Sequence, residues 1–247
     1  MSNETREKLN RVIVVWVTRV SLNENVLPDL EPLLDARERE RADRFRFAED
    51  RARFVLGRAL VRNLLGRCLD RPAKAIELTL ADLNRPVFDV DETIQFSITH
   101  THDLVAVAAT CNARVGIDLE FIQSTVDLVE LAERILSEED LATFEAFSPE
   151  EKLAAFFRVW TRKESYLKAR GEGIAEGLRL VSVSFGPEVE SSLADARDER
   201  AAVSWKQHLL PAPNDYTGSV ACDDSSRRVE FQPVKFENAE PVFVEML

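Results

Sequence analysis

The sequence predicts an α+β protein made of two similar halves, each with helices packed on a small antiparallel sheet. This prediction depends on a repetition: along the 247 residues, helical periodicity followed by short strand-like runs occurs twice. The two series meet near residues 112–116. A weaker sign is a local echo between the strand-like segments that follow Asp103 and Thr217. We therefore expect one domain at residues 1–113 and a second at residues 114–247.

The first half begins with a strand, because residues 11–20 are rich in Val and Ile. Two helices with apolar residues near helical spacing are expected next, at about residues 35–47 and 50–69. A short strand at residues 74–80 precedes a turn at Asn84-Arg85-Pro86. Short polar turns then separate three strand-like runs, which predicts an antiparallel meander over residues 93–99, 104–110 and 114–120.

The second half repeats the order of helices and then strands. Helices are predicted at residues 125–135, 137–147 and 149–169. Ser137 is expected to be the N-cap of the second of these helices, and Gly171 and Gly173 are expected to end the third. Strands are predicted at residues 179–185, 201–209, 218–223 and 228–233.

Composition excludes several classes of protein. The net charge of −12 argues against broad nucleic-acid binding. The longest strongly apolar run, residues 12–17, is far too short to cross a bilayer, and the polar, acid-bearing N-terminus does not read as a signal peptide. No Cys-x-x-Cys pair occurs, so neither a disulfide framework nor a zinc site is expected from Cys68, Cys111 and Cys222. We expect a cytoplasmic protein with reduced thiols.

Charge is unevenly distributed along the chain. Residues 36–74 contain eleven Arg and one Lys against six acidic residues, a local balance of +6. One interpretation is a pair of amphipathic helices with a solvated basic face. The other is a concave basic surface that binds a polyanionic ligand or an acidic partner.

The segment Val115-Gly116-Ile117-Asp118-Leu119-Glu120 contains two acids within a strand-like run. An extended chain directs Asp118 and Glu120 to the same face, roughly 6–7 Å apart along the strand. A solvated acidic strand end is the plainer alternative. Gly116 favours a functional interpretation, because a strand glycine often marks the close approach of a ligand or another backbone.

The segment from Trp160 to Lys168 places Glu164 and Lys168 four residues apart on a predicted helix, so they share a face with Trp160. Such a Glu–Lys pair is usually an ordinary surface ion pair. Here, however, three carboxylates are able to converge beside one ammonium group. That combination suits a hard divalent cation that holds a phosphate-bearing ligand.

Together, these two segments resemble the signature of the 4'-phosphopantetheinyl transferases, specifically the large surfactin-type class. The most diagnostic part of that signature is Trp-x-x-Lys-Glu-Ser-x-x-Lys, and residues 160–168 contain all of it. The resemblance extends from about residue 37 to residue 220. It implies a pseudodimeric fold that is active as a monomer. It also implies transfer of the 4'-phosphopantetheine of coenzyme A to a serine of an acyl, peptidyl or aryl carrier protein, which releases 3',5'-ADP.

The resemblance also implies roles for individual residues. Asp118, Glu120 and Glu164 would hold Mg²⁺, with Mn²⁺ as an alternative. Glu164, Lys168 and Asp118 are the expected catalytic residues: Lys168 would neutralise charge on the leaving group, and the proton of the serine would pass either to Glu164 or to a metal-bound water.

Coenzyme A binding is expected mainly in the first half. The segment Phe96-Ser97-Ile98-Thr99-His100-Thr101 resembles a family motif in which the histidine binds the 3'-phosphate, although Ser97 and Thr99 depart from it. A lone histidine at a strand end is otherwise often structural. The predicted coenzyme A-binding residues are Arg41, Arg53, Arg85, Pro86, Thr99, His100 and Lys168.

Two other functions remain open on the sequence. A non-catalytic carrier-binding module would share the fold, but loss of Glu164 or Lys168 would have favoured it, and both are present. A magnesium-dependent phosphatase would explain the carboxylates, but not the His100 strand or the row of residues that begins at Trp160.

Overall fold

The computed structural model describes residues 7–80, 86–87, 93–124, 127–172 and 177–245. Two compact units divide the chain. The first consists of Met1–Asn112 together with Arg228–Leu247, and the second of Ala113–Arg227. Each unit packs a long helix of 22 residues against its main sheet. The α+β class expected from the sequence is confirmed.

The first unit has a five-stranded sheet with the order β12-β11-β1-β5-β4. Its strands are β1 (Val12–Arg19), β4 (Ile94–Thr101), β5 (Leu104–Cys111), β11 (Arg228–Glu237) and β12 (Glu240–Phe243), with a separate pair formed by β2 (Thr79–Leu80) and β3 (Pro86–Val87). Its helices are α1 (Leu27–Leu30), α2 (Ala36–Asp43) and α3 (Ala48–Leu69), with short 3₁₀ turns at Glu24–Val26, Glu31–Leu33 and Ala73–Ala75. Helix α3 lies on β4 and β5, and apolar side chains on both sides of this contact form the core of the unit.

The predicted division of the chain differs from the observed one at the C-terminus. Residues 228–247 were expected in the second domain, but they belong to the first unit. Strand β11 pairs in parallel with β1, with Val12 opposite Arg228, and buries Val234 and Phe236 in the core of the first unit. Two parallel strands need a long connection between them. Strands β1 and β11 lie far apart in sequence and therefore meet this requirement.

The predicted three-stranded meander is also interrupted. Strands β4 and β5 pair as expected, but residues 115–121 form β6 (Val115–Phe121), which pairs with a strand of the second unit. The physical reason is that β5 has only two edges. One edge pairs with β4, and the other pairs with β1, where Val14 lies opposite Ala109.

The second unit has a three-stranded sheet with the order β6-β10-β9. Its strands are β6, β7 (Val181–Val183), β8 (Leu193–Asp195), β9 (Lys206–Leu209) and β10 (Tyr216–Cys222), and its helices are α4 (Leu128–Ile135), α5 (Glu138–Glu145), α6 (Pro149–Arg170) and α7 (Ala201–Ser204), with a 3₁₀ turn at Leu178–Leu180. Strand β8, which pairs with β7, was not predicted. The predicted strand 201–209 begins as helix α7.

Helix α6 is the central element of the second unit. The side chain of Glu151 accepts a hydrogen bond from the backbone of Ser148 in a capping box, and Pro149 occupies the first turn, where its missing N–H costs nothing. The helix ends at Gly171, whose φ of 73° is the left-handed conformation that glycine adopts without strain. Gly173, the other predicted stop, lies outside the described residues.

No helix in the described ranges is both long enough and apolar enough to cross a membrane.

Candidate functional site

Strand β6 directs alternate side chains to opposite faces, as its sequence predicts. Asp118 and Glu120 share one face. Asp118 is only 3% exposed, while Glu120 is half-buried at the end of the strand. Strand β10 covers one edge of β6, with Ser219 opposite Asp118 and Thr217 opposite Glu120. The two carboxylates are therefore held by a paired strand rather than by a loop.

Helix α6 packs against β6 and β10 and turns one row of side chains toward the acidic face of β6. Gly116 allows this contact, because it has no side chain to separate the strand from the helix. The row contains Trp160, Glu164 and Lys168, one turn apart from each other. Glu164 is 3% exposed.

Two hydrogen bonds join the row to the strand. The Nζ of Lys168 donates to Oδ1 of Asp118 at 2.6 Å, and the Nε1 of Trp160 donates to Oε1 of Glu120 at 3.2 Å. The structure thus brings together the four residues of the second half that the sequence proposed: Asp118, Glu120, Glu164 and Lys168. The tryptophan contact is an addition, since the sequence placed Trp160 in the row without a partner.

The cluster changes the acidity of its members. Burial, and then the negative charges of Asp118 and Glu120, raise the pKa of Glu164 to about 7, although Lys168 opposes the shift. Burial disfavours the charge of Lys168, but the carboxylates of Asp118, Glu164 and Glu120 outweigh it and raise the pKa of the lysine. The Oε1 atom of Glu164 is buried and has no hydrogen-bond partner among the described residues. Glu164 is thus poised to bind or release a proton near neutral pH.

The oxygen ligands of this cluster match the chemistry of a hard divalent cation. The buried, unpartnered Oε1 of Glu164 is an acceptor that such an ion would satisfy. Within the described ranges, however, no group of three or more His, Cys, Asp or Glu side chains is arranged to hold a metal ion. In the observed arrangement Lys168 engages Asp118 and Trp160 engages Glu120, so the three predicted ligands do not surround one point.

Lys163 belongs to the same motif but points elsewhere. It is fully buried, and its ammonium donates to Oδ2 of Asp140 at 2.8 Å and to the carbonyl oxygens of Ile135 and Leu178 at 3.1 and 3.0 Å. Its three N–H donors are therefore matched by three acceptors. This lysine fastens α4, α5 and the Leu178 turn to α6. The sequence did not predict this structural role, because a lysine side chain is rarely fully buried.

Thr99 and His100 lie at the end of β4 in the first unit. Thr99 is 5% exposed, whereas His100 is exposed. Arg53 reaches the turn that follows, because its Nη1 donates to the carbonyl oxygen of His102 at 2.7 Å and its Nη2 pairs with Asp50 at 2.5 Å. The structure therefore brings Arg53 to the hairpin that contains His100.

Arg41 occupies a different place in the first unit. It lines a cleft of about 750 Å³ between α2, α3 and residues 74–79, and Arg53 is not part of that lining. The guanidinium groups of Arg41 and Arg58 lie 5.3 and 5.0 Å from the ring centre of Phe54, in the range of cation–π contacts. Lys74 also lines the cleft. The basic surplus of residues 36–74 was the only signal of this cleft in the sequence.

A buried ion network is part of the lining of this cleft. Glu38 pairs with Arg58 at 3.2 Å and with Arg62 at 2.7 Å, and both arginines are buried. Burial lowers the pKa of Arg58 to about 10, although Glu38 opposes the shift. One carboxylate thus faces two guanidinium groups, which leaves a local surplus of positive charge.

Two predicted residues remain without a structural account. Arg85 lies outside the described residues. Pro86 opens strand β3, where its backbone pairs with Leu80, and the structure describes nothing of its side chain.

Comparison with known proteins identifies relatives for both halves of the chain. A family model described as the 4'-phosphopantetheinyl transferase superfamily matches residues 114–221, and one described as 4'-phosphopantetheinyl transferase, N-terminal, matches residues 26–112. The 4'-phosphopantetheinyl transferase HetI of Nostoc sp. is 31% identical over 191 residues, which cover 76% of this chain and 80% of the relative. The 4'-phosphopantetheinyl transferase psf-1 of Bacillus pumilus is 30% identical over 75% of this chain and 78% of its own length.

Proposed function

The chain belongs to the 4'-phosphopantetheinyl transferase superfamily, and from that premise we propose how its own residues transfer the phosphopantetheine group. The enzyme takes coenzyme A as its substrate and modifies carrier proteins. The observation that supports our assignment of the site is the cluster of Asp118, Glu164 and Lys168 on facing elements of the second unit. A buried carboxylate with a raised pKa and an ammonium beside it can supply a proton acceptor and a positive charge for a phosphoryl-type transfer.

We propose that the enzyme is of the surfactin type and acts as a monomer. The separate N-terminal family match and the similarity to psf-1 support this assignment, because both halves occur in one chain. We also propose a cytoplasmic location, since Cys68, Cys111 and Cys222 are buried thiols outside any disulfide, as expected in a reducing compartment.

Glu164 is the proposed proton acceptor. The hydroxyl of a carrier serine attacks the β-phosphate of coenzyme A, and its proton passes to Glu164, either directly or through a water molecule. In the metal-free protein, burial beside two carboxylates raises the pKa of Glu164 to about 7, and a bound Mg²⁺ would lower that pKa and favour the carboxylate that accepts the proton. The protein itself forms no covalent bond in this scheme, so positioning and charge neutralisation account for its effect.

Lys168 is the proposed electrostatic catalyst. Negative charge grows on the leaving 3',5'-ADP as the bond to the β-phosphate breaks. An ammonium close to that position lowers the barrier, because it interacts more strongly with the transition state than with the ground state. The side chain is 29% exposed and is therefore accessible to a ligand that enters from solvent.

Asp118, Glu120 and Glu164 are the proposed ligands of Mg²⁺. When bound, the ion would neutralise the diphosphate of coenzyme A and hold it in place. The all-oxygen donor set and the unpartnered Oε1 of Glu164 support this choice of ion. Strand alternation places Glu120 on the same side of β6 as Asp118, and the Trp160 hydrogen bond contacts its carboxylate.

Coenzyme A binding by the first unit is proposed from two groups of residues. His100 and Thr99 at the end of β4, with Arg53 at the adjoining turn, would contact the phosphates of the nucleotide. Arg41 lines a cleft with a surplus of positive charge, which suits a polyanionic nucleotide. Arg85 and Pro86 are included in this proposal only because of their resemblance to residues of the family.

The test is to incubate the protein with coenzyme A, Mg²⁺ and a panel of apo carrier proteins, and to measure intact masses. We expect one phosphopantetheine on the carrier serine and one equivalent of 3',5'-ADP. Asp118→Ala and Glu164→Ala should lower the rate by a factor of about 100 or more. The matched control is Glu150→Ala, which removes an exposed carboxylate from the first turn of the same helix. Full activity of either site variant at saturating Mg²⁺ would reject the assignment.

A further inference from the structure

The carboxylate of Glu164 depends on the backbone of α6 for its position. Its Oε1 atom is buried and has no hydrogen-bond partner among the described residues. A side chain that hydrogen bonds do not hold is located by the backbone that carries it and by the groups that pack against it. The turn at residues 162–165 of α6 therefore decides where this carboxylate lies relative to Asp118 of β6.

Gln207 of β9 contacts that turn directly. Its Nε2 donates a hydrogen bond to the backbone carbonyl oxygen of Arg162 at 2.6 Å, and both residues are fully buried. Arg162 lies two residues before Glu164, within the same helical turn. A side chain of the sheet thus holds the backbone of α6 next to the proposed proton acceptor.

A second contact joins the same turn to the neighbouring strand β10. The hydroxyl of Ser165 donates to Oγ of Ser219 at 3.3 Å and to the carbonyl oxygen of Arg162 at 3.0 Å. Ser219 lies opposite Asp118 in the antiparallel pair of β10 and β6, so the two side chains lie next to each other on one face of the sheet. The position of α6 is therefore set against the strand that adjoins the acidic strand.

Packing alone does not explain an amide at position 207. The Oε1 atom of Gln207 is buried and has no hydrogen-bond partner among the residues that the structure describes. A buried acceptor without a partner lowers stability, and an apolar side chain of similar length would avoid that cost. The group that an apolar side chain would lack is the N–H that reaches Arg162.

The guanidinium group of Arg162 is held by a separate set of contacts. Its Nη1 donates to the carbonyl oxygens of Ser184 and Gly186 at 2.6 and 3.0 Å, and its Nη2 donates to that of Glu188 at 2.7 Å. These contacts act at the end of a long side chain, which can change its torsion angles while the helix backbone moves. Gln207 acts on the backbone carbonyl itself, and its contact therefore restrains the turn more directly.

We propose that Gln207 is a positioning residue of this enzyme: its hydrogen bond to the carbonyl of Arg162, assisted by the Ser165–Ser219 contact, holds the turn that carries Glu164 in place against Asp118. This inference rests on the proposed function, in which Glu164 accepts the proton of the carrier serine. Gln207 acts only through Glu164. Because a misplacement of about 1 Å can lower a rate about 100-fold, the loss of this restraint should be visible in turnover.

Kinetics and hydrogen exchange of Gln207→Met in the full-length protein test the proposal. Methionine keeps an unbranched side chain of similar length and removes the donor. We expect kcat for carrier modification to fall about tenfold, while KM for coenzyme A and for the carrier changes less than about twofold. The backbone amides of residues 164–168 should exchange about tenfold faster. Circular dichroism at the assay temperature establishes that the variant is folded.

The matched control is Lys206→Met. It changes the preceding residue of β9, whose side chain lies on the other face of the strand and pairs with Glu190 at 2.7 Å. We expect kcat and the exchange of residues 164–168 to stay as in the wild type. Ser219→Ala is the second variant should Gln207→Met misfold; it removes the other contact of the turn, and we expect kcat to fall about threefold.

Unchanged kcat in folded Gln207→Met would overturn the proposal even if the amides exchanged faster, because Gln207 would then have a structural role alone. An equal fall in kcat for Lys206→Met would also overturn it. Loss of activity in Glu164→Ala without a loss in Gln207→Met would reject this inference and leave the proposed function intact. Full activity of Glu164→Ala, or a wild type that modifies no carrier, would reject the proposed function and this inference with it.

Discussion

Gly116 of β6 lies directly against Ser165 of α6. A Cβ atom placed on Gly116 would stand 2.1 Å from the carbonyl oxygen of Ser165 and 2.5 Å from the backbone nitrogen of Ala169. Both distances are well inside van der Waals contact, and both neighbours are backbone atoms that cannot rotate away. The strand and the helix that contain Asp118 and Glu164 therefore approach each other as closely as a glycine permits.

Gly116→Ala should separate these two elements and affect stability and turnover together. We expect a loss of about 1–3 kcal/mol in the free energy of unfolding, as for other overpacked sites, and a larger loss of activity because the carboxylates move apart. Urea unfolding and the carrier assay measure the two effects. The control is Gly57→Ala in α3, where a new Cβ would meet side chains at 3.5 and 3.6 Å; it should be neutral or slightly stabilising. Wild-type behaviour of Gly116→Ala would show that the contact is not tight.

The raised pKa of Glu164 predicts how stability depends on pH in metal-free protein. The folded pKa of about 7 exceeds the ordinary value of 4.5, so the folded state holds this proton more tightly than the unfolded state. The free energy of unfolding should therefore fall as pH rises from about 4.5 to 7, by up to about 3 kcal/mol. Glu164→Gln, which cannot ionise, should lack this contribution. Urea titrations in a chelator at pH 5 and pH 8 provide the comparison, and parallel changes in both proteins would contradict the assignment.

Lys163→Met should destabilise the fold more than Lys168→Met, although both lysines lie on α6. Removing Lys163 leaves Asp140 buried and uncompensated, a change that typically costs about 3–5 kcal/mol. Lys168 is itself partly exposed, but its partner Asp118 is buried, so its loss should cost about 1–3 kcal/mol, less than the loss of Lys163. Chemical unfolding of the two variants measures the difference. Adding Asp140→Asn to Lys163→Met should restore part of the stability; similar losses in the two single variants would be against this interpretation.

His100→Ala should weaken binding of coenzyme A more than binding of 3'-dephospho-coenzyme A. The imidazole can donate a hydrogen bond to the 3'-phosphate only when that group is present, and such a bond to a charged group is worth about 1.5–3 kcal/mol. Titration calorimetry with both ligands measures the two losses of affinity, and 3'-dephospho-coenzyme A serves as the control for coenzyme A. Equal losses for both ligands would assign His100 a structural role.

Local periodicity explains why the core of the site was predictable. Residues two apart on a strand, or four apart on a helix, lie on the same face. Asp118 and Glu120 were therefore assigned correctly to one face, and so were Glu164 and Lys168. The faces meet because α6 packs on β6. The spacing did not predict the partner of each charged side chain. Lys168 of α6 binds Asp118 of β6, whereas Lys163, one position before Glu164, points into the core and binds Asp140.

Strand pairing explains the errors in the fold. Strand β6 looks locally like a continuation of β4 and β5, and β11 looks like the end of the second half. The whole sheet decides which strand edges are available. Because β5 lies between β1 and β4, it has no edge left for β6, and β1 pairs on its other side with β11 from the end of the chain. Hydrogen bonds between strands are not local in sequence, so short windows do not predict them.

The sequence by itself determined the class of fold, the two long helices, the acidic strand face and the family to which they belong, because each depends on spacing within one element. Tertiary structure alone decided which unit contains residues 228–247, which lysine faces Asp118 and which faces Asp140, and that burial raises the pKa of Glu164. These properties depend on what packs against each element. Desolvation and charge pairing arise only when segments distant in sequence come together.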